Sequence, residues 1–194
     1  MPDAFTLFDL PRRPWLNADR LKDEFHRRSA TQHPDAGGDA DGFTQLNAAH
    51  QILRDPVARV RHLLELEAPA TLASAQAIPP DLAEVFMQIG ALRRALDVFW
   101  KRNAQASSPL ARALLAPDKI ALRTNVESLI ESVAGRHTGV LDELRALDET
   151  WKTARPTTRL AEILYSLSFL GKWEDQLRND LLKLSLELSP RTES

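Results

Sequence analysis

Apolar residues recur at three- and four-residue intervals along most of the chain, which is the spacing of one buried face of an α-helix. In the first third, this pattern predicts a short helix over 4–10 and a longer one over 18–32, which opens at the capping residue Asn17. Two more helices are predicted over 42–54 and 56–67, the last with Pro56 at its first position.

The apolar pattern is interrupted after residue 67 and then resumes. Three prolines interspersed with Ala, Thr, Ser and Gln predict a linker over 68–80. Beyond it, apolar stripes predict a helix over 81–103 and a second helical segment that starts in two pieces, at Pro109 and Pro117, and stops at Gly135. A third helix is predicted around 140–151 and a last one over 157–188. Such stripes can be buried only against one another, so 81–188 is predicted to be a helical bundle, with 189–194 as a tail. The predicted fold class is all-α.

The second and third helices are joined by a distinctive turn, Thr31-Gln32-His33-Pro34-Asp35-Ala36-Gly37-Gly38. Pro34 cannot continue a helix and disfavours the helical conformation of the residue before it. The two glycines let the chain reverse at no steric cost. The sequence therefore predicts an antiparallel helix pair that presents His33 and Asp35 on a loop at its tip.

Composition and charge exclude several classes of protein. The 194 residues include no cysteine, so disulfides, thiolate-bound iron–sulfur clusters and cysteine-based zinc sites are ruled out. Residues 1–67 carry 9 basic and 11 acidic side chains, and 68–194 carry 16 of each, so neither part favours nucleic acid as a partner. No apolar run approaches the ~20 residues of a membrane span, and the N-terminus does not resemble a secretory signal. We expect a cytoplasmic protein that binds neither membrane nor nucleic acid.

No constellation of catalytic residues stands out. The five histidines show no metal-ligand spacing, and Gly37-Gly38 lacks the Lys and Ser/Thr that complete a phosphate-binding loop. There is no Gly-x-Ser-x-Gly nucleophile motif. We therefore expect a protein that is not an enzyme and needs neither a cofactor nor a metal.

The His33-Pro34-Asp35 turn between two antiparallel helices resembles the J-domain of DnaJ-type co-chaperones. The segment Phe5-Thr6-Leu7-Phe8-Asp9-Leu10-Pro11 is similar to the first helix of that domain. The segment Asp55-Pro56-Val57-Ala58-Arg59-Val60-Arg61-His62-Leu63-Leu64-Glu65-Leu66 resembles HscB, the J-protein of iron–sulfur cluster assembly. The resemblance implies a J-domain over 1–67 that stimulates the ATPase of a DnaK- or HscA-type chaperone. The implied chaperone-binding residues are His33, Pro34, Asp35, Lys22, His26 and Arg27.

The predicted bundle resembles HscB in two segments, 86–97 and 168–177. In that family, exposed apolar residues and glutamates on the corresponding helices bind the cluster scaffold IscU. Phe86, Met87 and Phe169 match the apolar part of this pattern. Its acidic part is absent, because Ala91, Arg94 and Val98 stand where glutamates are usual and Gly90 stands where a leucine is usual.

The sequence leaves three interpretations open. The chain is an HscB-like co-chaperone that delivers the scaffold protein, a J-domain adaptor whose bundle binds a different client, or a structural helical protein with a fortuitous tripeptide. For Phe86 and Phe169 the alternative to a binding role is core packing, since apolar helix residues are more often buried than exposed.

Overall fold

The computed structural model describes residues 2–32, 39–74 and 79–186, and within these ranges the secondary structure is entirely helical. The α-helices are α1 (Ala4–Leu7), α2 (Ala18–Gln32), α3 (Ala40–Arg54), α4 (Pro56–Glu67), α5 (Pro69–Ser74), α6 (Ala83–Gln105), α7 (Pro109–Ala154) and α8 (Thr157–Leu186), and a 3₁₀ helix over Pro80–Leu82 precedes α6. The all-α prediction is confirmed for these residues.

Local capping explains where the N-terminal helices begin. The Asn17 side chain accepts a hydrogen bond from the Arg20 amide at 3.0 Å, which confirms it as the cap of α2. Asp39 caps α3 by accepting from the amides of Asp41 and Gly42. Asp55 caps α4 and is followed by Pro56, which lacks the amide hydrogen that a first helical residue would leave unpaired. The predicted bounds of α2 and α4 agree with the observed ones.

The C-terminal half differs from the prediction at three places. The two-piece segment and the third helix are one continuous helix of 46 residues, α7, which contains Pro117 and does not stop at Gly135. A glycine inside a helix costs only about 1 kcal/mol, which packing of the flanking turns readily offsets. Part of the predicted linker is helical, as α5. Finally, Asp81 is the residue expected to cap the helix predicted over 81–103, but it lies inside the 3₁₀ helix, and α6 begins at Ala83 with no side-chain cap.

The chain forms two compact units, each made of two separate stretches of sequence. Unit 1 comprises 1–77 together with 140–167, and unit 2 comprises 78–139 together with 168–194. The stretch 140–167, which is part of the predicted bundle over 81–188, lies in unit 1. Both α7 and α8 have residues in each unit.

Unit 1 has a single apolar core to which both of its sequence segments contribute. Phe5, Phe8, Leu53 and Leu63 from the first segment are fully buried, and so are residues of the second segment such as Leu144, Leu160 and Leu164. The helices that resemble a J-domain therefore share their core with the end of α7 and the beginning of α8.

Several polar side chains in unit 1 are paired with the connector between α1 and α2. The Asp148 carboxylate forms an ion pair with Arg13 and accepts a hydrogen bond from the Trp15 amide at 3.2 Å. The Trp151 indole donates to the Arg12 carbonyl oxygen at 3.0 Å. Arg59, almost fully buried, donates from Nε to the Pro14 carbonyl at 2.9 Å and from Nη1 to the Leu53 carbonyl at 2.6 Å. These bonds fix the connector between α1 and α2.

Unit 2 is built from α6, the first part of α7 and the last part of α8. Arg102 pairs with Asp118 at 2.6 Å and Arg136 donates to the Asp81 carbonyl oxygen at 3.3 Å, so α7 runs antiparallel to α6. Phe86 lies beside Trp173 near the start of α6, and Arg93 and Asp97 lie near Asp180 further along. The last part of α8 therefore runs parallel to α6, as in an up-down-up three-helix bundle. The prediction of a bundle agrees with this part of the chain.

Candidate protein-interaction surfaces

The first candidate surface is the exposed side of α2 in unit 1. Lys22, His26 and Arg27, the residues that the resemblance assigns to chaperone binding, are all exposed. Lys22 and His26 are four residues apart and so share one side of the helix. The adjacent tripeptide His33, Pro34 and Asp35 lies outside the described residues. The structure describes the helices on either side of it, α2 ending at Gln32 and α3 capped by Asp39.

Arg27 is held by an acidic neighbour on its own helix. Its Nε donates to Oε2 of Glu24 at 3.0 Å, and its Nη2 donates to Oε1. Glu24 Oε1 also accepts from Nε of Arg28. Hydrogen bonds from Arg27 and then Arg28 lower the pKa of Glu24 to about 2, so this carboxylate is charged at neutral pH. Arg28 also pairs with Asp9, so the two arginines and the two carboxylates together carry no net charge.

Arg28 of α2 forms hydrogen bonds with the end of α1, and these contacts were not predicted from the sequence. Its place near the apolar line of α2 predicts a side chain that reaches past buried residues to water. Instead it is largely buried, and its Nη1 donates to the Leu7 carbonyl and its Nη2 to the Asp9 carboxylate, both at 2.8 Å. The guanidinium also lies over the Phe8 ring, 5.9 Å from its centroid. Asp9 has a φ of 49°, so these contacts hold a left-handed turn in place.

His50 packs inside the same pair of helices. Its ring stacks on Phe25 of α2 with centroids 4.0 Å apart. Burial lowers its pKa, and the nearby charges of Arg54 and His26 lower it further. The neutral form of His50 is therefore part of the packing between α2 and α3.

The second candidate surface is an aromatic cluster in unit 2. Phe86 of α6 and Phe169 of α8 both lie beside Trp173, with ring centroids 6.2 and 5.7 Å from the indole. Trp173 is buried, Phe169 is half-buried, and 47% of Phe86 is exposed. Met87, next along α6, is 65% exposed. The contact of Trp173 with both phenylalanines was not predicted from the sequence, although Trp173 follows Phe169 by four residues and so shares its side of the helix.

Along α6 from this cluster, small, apolar and basic residues face solvent. Ala91, Arg94 and Val98 are exposed, and Gly90 is half-buried. An added Cβ at Gly90 would lie 3.6 Å from Nη1 of Arg94, so the guanidinium packs over the glycine. The exposed positions where the resemblance leads us to expect acidic side chains therefore carry an arginine, an alanine and a valine.

The described residues contain neither a helix suited to cross a membrane nor a cluster of metal ligands. None of the helices described combines the length and the apolar character that crossing a membrane requires. Within the same residues, no group of three or more His, Asp or Glu side chains is placed to hold a metal ion.

Comparison with solved structures identifies the fold. The chain is similar to chaperone HscB from Vibrio cholerae, with a TM-score of 0.53 and 21% identity over 94% of this chain and 99% of that one. It is also similar to the human co-chaperone protein HscB, with a TM-score of 0.58 and 16% identity over 94% of this chain and 84% of that one. No family model matches the sequence. The fold of this chain is that of the HscB chaperones.

Proposed function

We propose that this protein is a J-domain co-chaperone of iron–sulfur cluster assembly. In this proposal it stimulates ATP hydrolysis by a DnaK- or HscA-type chaperone in the cytoplasm and delivers the scaffold protein as client. The observation that carries the proposal is the HscB fold over 94% of the chain, combined with the sequence His33-Pro34-Asp35 between α2 and α3.

The chemistry of the tripeptide suits contact with a chaperone ATPase. Asp35 supplies a carboxylate that can form a charge-assisted hydrogen bond with an arginine of the partner. Pro34 restricts the backbone, so less conformational entropy is lost on docking. His33 adds hydrogen-bonding capacity beside them. Lys22, His26 and Arg27 on α2 would attract an acidic partner surface and orient it, which makes the association sensitive to salt.

Client binding is assigned to the aromatic cluster in unit 2. Phe86, Met87 and Phe169 offer apolar area with the buried Trp173 ring beneath it. Large exposed apolar side chains that adjoin one another are typical of protein–protein contacts. We propose that the scaffold protein binds here.

A different client is the second candidate function. It is favoured by the basic and apolar residues Arg94 and Val98 at positions where the resemblance predicts glutamates. In that case the J-domain activity is kept, and the bundle selects another protein.

The test of the J-domain activity is the single-turnover ATPase rate of the DnaK-type chaperone from the same host. We expect the native protein to accelerate hydrolysis and His33→Gln to abolish the acceleration. Thr44→Val, on the exposed side of α3, serves as a control variant that leaves the tripeptide intact. If the native protein accelerates no chaperone of its host, the proposed function is wrong.

A further inference from the structure

A groove runs between α6 and α7 on unit 2. Its volume is about 450 Å³. Its floor is formed by the buried side chains of Phe99 and Leu122, and its walls include Val98 and Ala121. Arg94, Arg102 and Asp118 stand along its edges.

The apolar surface of the groove is exposed to solvent. Val98 is 57% exposed. On α7, Leu114 precedes Asp118 by one turn on the same side of the helix and is 71% exposed. Exposed apolar side chains that adjoin a groove offer area that a partner can remove from water.

The charge around the groove is positive, in contrast to the chain as a whole, which has a net charge of −2. Helix α6 has four basic and two acidic residues, and the stretch 109–125 of α7 has three basic and one acidic. At the groove itself, Asp118 neutralises Arg102 through an ion pair at 2.6 Å. Arg94 is exposed, and in the part of the chain that the structure describes it forms no ion pair. The edge of the groove therefore carries one uncompensated positive charge beside apolar surface.

We propose that this groove binds an acidic, amphipathic segment of the client protein. An apolar side chain of the segment would lie over Phe99 and Leu122, and a carboxylate would pair with Arg94. A nucleic acid fits less well, because its backbone carries a regular row of negative charges, whereas the groove offers one uncompensated positive charge beside apolar surface. The inference rests on the proposed function and adds that the client surface is acidic. Where the resemblance predicts glutamates on α6, this chain would then use a positive charge, that of Arg94, to bind its client.

The test is a titration of the ¹⁵N-labelled full chain with two synthetic helical peptides followed by NMR. Both peptides have the same leucines along one side, flanked by glutamates in one peptide and by lysines in the other. We expect amide shifts centred on Arg94, Val98 and Ala121, and roughly five- to tenfold tighter binding of the glutamate peptide.

Variants of Arg94 test the charge requirement. Arg94→Glu is expected to reverse the preference, and Arg94→Lys to keep it. Arg61→Glu, on exposed α4 surface in unit 1, changes the net charge by the same amount and should leave the preference unchanged. Equal affinity for the two peptides, binding of neither, or shifts outside the groove would each overturn the inference.

The result of the peptide titration can be distinguished from the result of the ATPase test of the proposed function. Arg94→Glu should stimulate the chaperone ATPase as strongly as the native protein does, because Arg94 is in unit 2 and the tripeptide is in the stretch assigned to unit 1. A native protein that stimulates no ATPase refutes the proposed function, whereas failure of the peptide titration refutes only the groove.

Discussion

The two phenylalanines of α6 allow a direct comparison of a surface and a core position. Phe86 is 47% exposed and Phe99 is 3% exposed. Full burial of a phenylalanine contributes about 1.5–3 kcal/mol, so a half-exposed ring contributes roughly 1 kcal/mol, with up to about 1 kcal/mol more from its contact with Trp173. Truncating a core phenylalanine costs about 3–5 kcal/mol. We therefore expect Phe86→Ala to reduce the free energy of unfolding by roughly 1–2 kcal/mol and Phe99→Ala by more than twice that.

Urea unfolding of the full chain, followed by circular dichroism, measures this difference. Because the chain has two compact units, both variants should be fitted on the transition that includes unit 2. In the same preparations, isothermal titration with the host's scaffold protein measures binding. A central aromatic contact is worth about 2 kcal/mol or more, so Phe86→Ala should weaken binding roughly 30-fold.

Two results would refute this reasoning. If Phe86→Ala costs as much stability as Phe99→Ala, Phe86 is a core residue and is not available to bind a client. If Phe86→Ala is nearly neutral for stability and binding is also unchanged, the aromatic cluster is not the client site.

Three further predictions concern unit 1. Arg59→Ala should destabilise it by about 2–4 kcal/mol, because the carbonyls of Pro14 and Leu53 lose their buried donor, and Arg59→Lys should restore only part of this loss in urea unfolding. Burial lowers the pKa of His50 in the folded state, so this histidine binds a proton more tightly in the unfolded state. Its contribution to the free energy of unfolding should be constant above the ordinary histidine pKa of 6.5 and should fall as the pH drops below that value. Thermal melts across this range should show a flatter profile for His50→Gln, and an unchanged profile would contradict the assignment. Glu24→Gln removes the carboxylate that pairs with Arg27, so chaperone binding should tighten at low salt, and the gain in affinity should shrink at high salt. Weaker binding of this variant at low salt would show that Glu24 orders the Arg27 side chain for binding instead of neutralising it.

The sequence predicted the N-terminal helices well because their boundaries are set by neighbouring residues. Asn17 and Asp55 cap α2 and α4 through their own side chains, and Pro56 fixes the first turn of α4. The helix α7 was divided wrongly because Gly135 and Pro117 disfavour a helix locally, by about 1 and about 3 kcal/mol, and the surrounding structure overrides both preferences. An added Cβ at Gly135 would meet nothing within 4 Å, so no close contact there indicates a reason for a break.

The membership of the two units could not be predicted from periodicity. An apolar stripe shows that Leu144 and Trp151 are buried, but it does not show which helices bury them. At the candidate sites, too, the sequence does not show which apolar residues are exposed. Adjacent positions on α6, such as Val85 and Phe86, are equally apolar in sequence, and only the packing shows that the first is buried and the second exposed. By contrast, the three- and four-residue spacing of Glu24, Arg27 and Arg28 was available from the sequence as a sign of ion pairing.

The discontinuity of unit 1 has a consequence for biosynthesis. Its first segment is translated before the whole of 78–139, and only afterwards do Leu144, Trp151 and Leu160 become available to complete the core. At typical elongation rates of about 5–20 residues per second, the apolar faces of α1, α3 and α4 wait several seconds for their partners. The N-terminal helices cannot mature one after another as they emerge. A fragment or chimera that ends at residue 67 would leave these apolar faces exposed to solvent. A stable version of unit 1 on its own therefore needs 140–167 fused to the first segment.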